Sequence, residues 1–109
     1  MKRYSVVISA EAERDLFDIQ EYIAENDSVE RAGTVVARIQ HAVDGLEVFP
    51  NRGAHPAELL DYGNRDFREV HFKPYRIVYR VVATRVVVVL IADGRRDMRA
   101  LLSRRLLGA

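Results

Sequence analysis

The chain opens on an alternation of side chains that is typical of a β-strand with one buried face. Tyr4, Val6 and Ile8 occupy alternate positions, and Ser9 follows them. From Ser9 onwards the apolar residues recur every three or four positions, and acidic residues occupy the first turns, where the helix dipole favours negative charge. We therefore predict a strand followed by a helix that Ser9 caps. The apolar stripe of this helix comprises Ala12, Leu16, Ile19 and Ile23.

A second helical pattern follows a break at Asn26, Asp27 and Ser28. The second helix begins at Asp27 or Ser28, and Glu30 would complete a capping box if Asp27 is the cap. Two adjoining amphipathic helices after a strand predict an antiparallel hairpin that covers one side of a sheet. The apolar stripe of the second helix comprises Ala32, Val35, Val36, Ile39, Val43 and Leu46.

The second half of the chain is predicted to form three strands and a short final helix. Residues 56–63 have the composition of a loop with one helical turn. The apolar run 86–91 indicates an interior strand, which pairs with residues 76–82 through a tight turn at residues 83–84. Asp97 is placed to cap the final helix. The predicted fold is α+β, a single domain over residues 1–109 with a helical hairpin packed on a mainly antiparallel four-stranded sheet (β-α-α-β-β-β) and a short C-terminal helix.

The net charge of +1 conceals a division between the two halves of the chain. Residues 1–60 hold 6 Lys or Arg and 11 Asp or Glu, whereas residues 61–109 hold 11 and 5. This asymmetry predicts one face for an anionic partner and another turned away from it.

Five cations of the second half are predicted to share one rim of the sheet. In the expected register, Arg95 and Arg96 emerge next to Lys73. Arg76 lies at the adjacent strand end, and Arg68 is expected within one or two residues of it. Like charges placed together repel unless the surface is solvated or meets an anion such as phosphate or carboxylate. We therefore predict that this rim is the functional surface.

The composition excludes several kinds of site. The chain has no cysteine, so disulfides, thiolate chemistry and cysteine-based zinc sites are excluded. Its three histidines are dispersed without ligand spacing, and we expect no metal site and no cofactor. The first residues carry too short an apolar run for a signal peptide or a membrane span, which predicts a cytoplasmic protein without membrane contacts.

Three groups of motifs occur in order along the chain. Ile8-Ser9-Ala10-Glu11 opens the first helix, Arg52-Gly53 closes the helical hairpin, and Phe67-Arg68-Glu69 and Pro74-Tyr75-Arg76-Ile77-Val78-Tyr79-Arg80-Val81 occupy the strands. Together with the element order, these motifs resemble the RelE/ParE family of toxins from bacterial type II toxin–antitoxin modules. The resemblance covers essentially the whole chain and implies growth arrest by a toxin, with a link to plasmid stabilisation.

The resemblance implies two alternative activities. RelE-like toxins cut messenger RNA in the ribosomal A site by a metal-free reaction, in which the 2′-hydroxyl of the RNA attacks the adjacent phosphate and cations stabilise the phosphorane. ParE-like toxins poison DNA gyrase and are not regarded as enzymes. A third possibility is a binding protein that keeps the fold and has lost the activity.

The candidate catalytic residues follow from the first alternative. By resemblance, Arg76 and Arg96 match the arginines that stabilise the phosphate in RelE-like toxins. Glu69 or His71 would supply the base, although Glu69 beside arginines is more simply an ion-pair partner. The tyrosine that serves RelE-like catalysis falls near Leu102, which cannot accept a proton. This departure favours gyrase inhibition over messenger RNA cleavage.

The end of the chain resembles the ParE-type ending, with an arginine before Asp97 and a short amphipathic helix. The resemblance also implies that a small antitoxin wraps the toxin, with acidic residues for the rim and apolar ones for grooves beside the helices. The stripe of the last helix is a candidate docking strip, although core packing is the more usual fate of such a stripe. This strip comprises Met98, Leu101, Leu102 and Leu106.

Overall fold

The computed structural model describes residues 3–108 and confirms the predicted order of elements. A single 3-10 turn, Gly45–Glu47, follows the second helix. The elements are β1 (Ser5–Ile8), α1 (Ala10–Asn26), α2 (Val29–Asp44), α3 (Ala57–Leu60), β2 (Arg68–Phe72), β3 (Tyr75–Val82), β4 (Arg85–Asp93) and α4 (Met98–Leu106).

Short polar side chains start the three longer helices. Ser9 accepts a hydrogen bond from the Ala12 amide at 3.1 Å, as predicted for α1. Ser28 accepts from the Arg31 amide at 2.9 Å, so Ser28 and not Asp27 is the cap of α2. The predicted cap of α4 is confirmed as well, because Asp97 accepts from the backbone of the third residue that follows it at 3.1 Å.

The four strands form one mixed sheet in the order β1-β4-β3-β2. β1 runs parallel to β4, and the other two pairings are antiparallel. β4 therefore lies in the interior, as its apolar run predicted. The register shifts once, since Val78 is opposite Leu90 whereas Tyr79 is opposite Val88, and Val89 is the extra residue of a β-bulge.

The helical hairpin of α1 and α2 packs on one face of the sheet, as predicted. Tyr79 is fully buried in this core, where its hydroxyl donates to the Pro50 carbonyl at 2.7 Å and accepts from the Gly53 amide at 3.1 Å. Burial raises the pKa of the Tyr79 phenol. The buried residues of this core are Ala12, Ile23, Ala32, Val35, Ile39, Val43, Leu46, Val70, Ile77, Tyr79, Val86, Val88 and Ile91.

A second core covers the opposite face of the sheet, beneath α3 and α4. Its buried residues are Leu59, Phe67, Val78, Leu90, Ala92, Met98, Leu101 and Leu102, and Leu106 packs partly against them. The expected docking strip on α4 is therefore corrected: three of its four side chains lie inside this core, because the hairpin leaves this face of the sheet for α4 to cover.

None of the helices within residues 3–108 is both long and apolar enough to cross a lipid bilayer.

Candidate functional site

Three of the five predicted cations meet at one end of the sheet, where the turn between β2 and β3 lies beside the segment that follows β4. The pairing of Tyr75 with Asp93 sets this arrangement. Lys73 and Arg95 line one depression, and Arg95 and Arg96 line the groove next to it. We call the group of Lys73, Tyr75, Asp93, Arg95 and Arg96 the sheet end. Its three cations are exposed, so they are available to an anionic partner.

Arg68 does not belong to the sheet end, which corrects the predicted rim. It begins β2 and is opposite Tyr79, four positions from the end at which Phe72 is opposite Tyr75. At about 3.4 Å per strand residue, this places Arg68 roughly 14 Å away. Its guanidinium donates to the Gly53 carbonyl at 2.7 Å and to the Asn51 carbonyl at 3.3 Å. Arg68 thus fastens the segment after α2 to the sheet.

Arg76 lies near the sheet end in sequence but extends over the opposite face, towards α3. All three of its guanidinium nitrogens are engaged: Nε donates to Glu69 at 2.6 Å, and Nη1 and Nη2 donate to the two oxygens of Glu58 at 2.8 and 2.7 Å. Only 15% of the side chain is exposed. A phosphate could reach Arg76 only by displacing a bidentate carboxylate, so the geometry is that of a structural clamp.

The charges in this clamp shift the protonation of both principal partners. The hydrogen bonds from Arg76 lower the pKa of the Glu58 carboxyl to about 2, against the opposing effect of burial. The same bonds, with those to Glu69, raise the pKa of the Arg76 guanidinium above its ordinary value. Both groups are therefore charged throughout the physiological range.

Glu69 and His71, the candidate bases, occupy alternate positions of β2 and therefore share one face of the strand. A carboxylate oxygen of Glu69 is 2.6 Å from Arg76 Nε and 3.6 Å from His71 Nε2. Glu69 is thus an ion-pair partner, the simpler of its two predicted roles. About half of the His71 side chain is exposed, and its catalytic role stays a prediction.

The segment after β4 holds its two arginines differently. Arg95 makes a bidentate pair with Asp93, with its Nη2 at 2.6 Å from Oδ2, while 79% of its side chain remains exposed. This pairing lowers the pKa of the Asp93 carboxyl and raises that of Arg95. The Arg96 amide donates to the Asp93 carbonyl at 3.1 Å, and its side chain is exposed and makes no ion pair with residues 3–108. Arg96 is therefore the more available of the two.

Gly94 couples the clamp to the sheet end. Its amide donates to the Pro74 carbonyl at 2.8 Å, which closes the ladder between β3 and β4. A Cβ at this position would lie 2.9 Å from Cδ of Arg76 and 3.1 Å from the Pro74 carbonyl oxygen. The stem of Arg76 thus packs against the backbone from which Arg95 and Arg96 extend.

A groove of about 440 Å³ runs between α1 and the end of β4. Its walls combine apolar and aromatic side chains with charged ones. They are Asp15, Asp18, Ile19, Tyr22, Tyr75, Ile91, Ala92, Asp93, Arg95 and Arg96.

Sequence patterns missed Glu58, Tyr22 and Arg31 as members of these surfaces. Arg31 lines the depression that also contains Lys73 and Arg95, and Tyr22 lines both depressions. Tyr22 and Arg31 are not members of the predicted apolar stripes, and a helical period alone could not place them at the sheet end. Glu58 carried no local signal, because its partner is 18 positions away across a loop.

Residues 3–108 contain no group of three or more histidine or acidic side chains that is arranged to hold a metal ion.

The sequence and the fold are similar to those of known toxins. A family model described as "ParE toxin of type II toxin-antitoxin system, parDE" matches residues 6–98. Toxin ParE3 of Caulobacter vibrioides is 31% identical over 91 residues, which are 84% of this chain and 87% of that protein.

Two solved structures share the fold. A chain of the chromosomal ParDE toxin–antitoxin system from P. aeruginosa superposes with a TM-score of 0.72 at 22% identity, over 85% of this chain and 98% of that one. A chain of the RelBE2 toxin–antitoxin complex from Mycobacterium tuberculosis gives a TM-score of 0.61 at 18% identity, over 84% and 98% of the two chains.

Proposed function

This chain belongs to the family of ParE toxins of type II toxin–antitoxin systems, and from that premise we propose that it arrests growth by inhibiting DNA gyrase when no antitoxin is bound. In this proposal the arginines of the sheet end bind the target and catalyse no reaction.

The observation that carries the proposal is the state of Arg76. RelE-like cleavage requires a cation that is free to stabilise the phosphorane, but Arg76 already binds two carboxylates through three hydrogen bonds. Leu102, at the position of the RelE-like tyrosine, is fully buried in the second core. The strand arginine is thus engaged in ion pairs within the fold, and a buried leucine occupies the position of the RelE-like tyrosine.

The sheet end offers binding without chemistry. Lys73, Arg95 and Arg96 are exposed side by side, and the planar guanidinium groups suit bidentate contacts with carboxylates or phosphates. The excess of basic residues in the second half of the chain adds a longer-range attraction for an anionic surface. We propose this cluster as the contact with gyrase or with the DNA that gyrase holds.

We propose an antitoxin as the second partner. Both similar structures come from toxin–antitoxin systems, which supports a protein partner that masks the toxin until it is removed. An acidic segment of this partner would compete directly for the arginines of the sheet end.

The test is expression of the chain from an inducible promoter in cells that lack any antitoxin for it. We expect loss of viable cells, induction of a DNA-damage response and no new 5′ ends in messenger RNA. Arg96→Ala should restore growth, whereas Arg85→Ala, an equal loss of charge at the far end of β4, should not. New 5′ ends at ribosomal A sites would support the RelE-like alternative, and harmless expression of folded protein would support an inactive binding protein.

A further inference from the structure

A trough runs between α2 and the outer edge of β2. β2 is an edge strand of the sheet, and within residues 3–108 its outer side pairs at Glu69 alone, with Ala54. Beyond Glu69, two depressions of about 460 and 440 Å³ lie side by side along this edge, and Phe72 lines both of them. We call these two depressions together the α2–β2 trough.

The α2 wall of the trough carries arginines. Arg31 and Arg38 are seven positions apart on one face of α2, which corresponds to two helical turns and about 10 Å. Arg52 lies at the end of α2, because a Cβ on Gly45 would be 3.5 Å from its Nη1. All three arginines are exposed, so cations follow this wall along its length.

The β2 wall offers further hydrogen-bond donors. His71 and Lys73 both line the trough, and two strand positions separate them by roughly 7 Å. The Glu69 amide donates away from β3, to the Ala54 carbonyl at 2.8 Å, and the His71 amide two positions later turns to the same side. This wall therefore presents an ammonium group, an imidazole and a backbone N–H to an anion in the trough.

Few carboxylates neutralise these cations. The cations of the trough that form no ion pair within residues 3–108 are Arg31, Arg38, Arg52 and Lys73. Asp27 and Asp44 also line the trough, and Asp44 already accepts a hydrogen bond from Gln40 Nε2 at 3.0 Å. Like charges spread along a channel favour an anion whose charges repeat along its length.

An exposed aromatic ring distinguishes between the anions that could fill the trough. Tyr22 of α1 lines the same depression as Arg31 and Lys73, and 67% of it is exposed. Proteins bind a single nucleic-acid strand with a cationic channel for the phosphates and aromatic rings on which the bases stack. An acidic peptide has no bases to stack, so the ring favours a nucleic acid.

We propose that the α2–β2 trough binds a single strand of DNA through its phosphates, with one base stacked on Tyr22. The strand would run from Arg52 past Arg38 to Lys73. There it would reach the sheet end, because Arg95 also lines the trough. The binding of a strand follows from the charges and the ring, whereas the choice of DNA rests on the proposed function.

The test measures binding of a fluorescein-labelled thymidine dodecamer to the purified chain by fluorescence anisotropy at several salt concentrations. The slope of log K against log salt should be about −3, because each of the four unpaired cations that contacts a phosphate contributes about −0.7. The double variant Arg38→Ala with Arg52→Ala should flatten this slope by about 1.4 and weaken binding about tenfold. Arg85→Ala with Arg104→Ala, the same loss of charge outside the trough, should change neither.

The stacking contact has its own pair of variants. Tyr22→Leu removes the ring and should weaken binding about fivefold with the salt slope unchanged, because no phosphate contact is lost. Tyr62→Leu removes a similarly exposed ring that lies outside the trough, and it should have no effect. A duplex of the same sequence should bind more weakly than the single strand, since its bases are already paired and stacked.

The proposal is overturned if the two double arginine variants bind the dodecamer alike, or if the duplex binds more tightly than the single strand. Tighter binding of a uridine dodecamer would reject the choice of DNA. Tighter binding of a blocked Ala-Glu-Ala-Glu-Ala-Glu-Ala peptide, lost in the Arg38→Ala and Arg52→Ala variant, would replace the nucleic acid with an acidic protein.

The binding measurement needs neither gyrase nor cells. Failure of growth arrest would therefore reject the proposed toxin activity while leaving the trough as a strand-binding site. Failure of the dodecamer to bind would reject only the trough.

Discussion

Arg76 matches an arginine of RelE-like toxins in sequence, but in this chain it stabilises the fold. Its guanidinium joins β3 to Glu58 of α3 and to Glu69 of β2, and its stem lies against Gly94. A largely buried cation held by two carboxylates is strongly destabilising when one partner is removed, because the remaining charge stays desolvated. We therefore expect most substitutions of Arg76 to act through stability.

The clamp makes acid stability depend on Glu58. Its pKa is lowered from 4.5 to about 2 in the folded chain, so its contribution is fully present above pH 4.5 and is lost as the pH falls towards 2. A shift of this size corresponds to an upper figure on the order of 3 kcal/mol. Denaturant unfolding between pH 6 and pH 2 should show a flatter acid limb for Glu58→Gln than for the original chain. Equal limbs would contradict the clamp.

The same variant distinguishes a clamp from a catalyst. Glu58→Gln replaces the carboxylate that binds two nitrogens of Arg76, so a phosphate could compete for them more easily. If Arg76 is structural, Glu58→Gln should lower stability and create no RNA cleavage. Increased cleavage of ribosome-bound messenger RNA, mapped by primer extension, would show that Arg76 can act as a catalytic cation once Glu58 no longer binds it.

Substitution by alanine should change the free energy of unfolding in opposite directions at two glycines. A Cβ on Gly53 would lie 2.5 Å from the Glu69 carbonyl oxygen and 2.8 Å from the Tyr79 hydroxyl, so Gly53→Ala should destabilise by about 1–3 kcal/mol. Gly33 lies within α2, and apart from its chain neighbours and the surrounding helix backbone no atom lies within 4 Å of the added Cβ, so Gly33→Ala should stabilise by about 0.5–1 kcal/mol. Thermal unfolding of both variants measures the difference, and shifts of the same sign would contradict this packing.

At the scale of elements, the sheet is enclosed by the hairpin on one face and by α3 and α4 on the other. Asp15 and Arg105 join these two layers across the edge of β4. Arg105 donates two hydrogen bonds of 3.1 Å to Asp15, and each side chain is only 16% exposed. The same carboxylate satisfies the Ile91 amide. β1 pairs with β4 only as far as Val88, and beyond that point this ion pair takes the place of a neighbouring strand.

Removing this carboxylate should loosen the end of β4. Asp15→Ala removes the carboxylate that accepts two hydrogen bonds from the largely buried Arg105 and leaves the Ile91 amide without its partner, and we expect a loss of about 2–4 kcal/mol. Asp18→Ala, an exposed neighbour on α1, should change stability by no more than about 0.5 kcal/mol. Hydrogen exchange at Ile91 should accelerate in the first variant alone. Unchanged exchange there would show that another group covers this amide.

The elements were predictable where local patterns determine them. Helical stripes, capping by Ser9 and Asp97, and the interior position of β4 all follow from residues close in sequence. The misplacement of Arg68 came from the length of β2, since four residues of strand separate it from the turn. The bulge at Val89 and the burial of α4 depend on tertiary packing, which leaves no local signal.

For the candidate site, the sequence predicted the meeting of Lys73, Arg95 and Arg96, because a hairpin register brings strand ends together. It could not predict that Arg76 would be taken by Glu58. That pairing depends on where a loop of irregular structure places a four-residue helix, and loop geometry is not encoded by periodicity.

At the scale of the whole molecule, the charges divide into an acidic first half and a basic second half. The folded chain exposes part of the basic half as the sheet end, next to the groove between α1 and the end of β4. Target and antitoxin would then compete for one surface. Binding of one partner would then exclude the other without any change in fold.

Purified DNA gyrase gives the decisive test of the proposed inhibition. Gyrase, supercoiled plasmid and ATP are incubated with the chain, and trapped cleavage complexes are counted as linear DNA after detergent and protease treatment. We expect linear DNA that increases with toxin concentration, is at least tenfold lower with Arg96→Ala and is unchanged with Arg85→Ala. Gyrase that remains unaffected by excess folded toxin, while the same preparation cuts messenger RNA on translating ribosomes, would reject gyrase inhibition in favour of RelE-like cleavage.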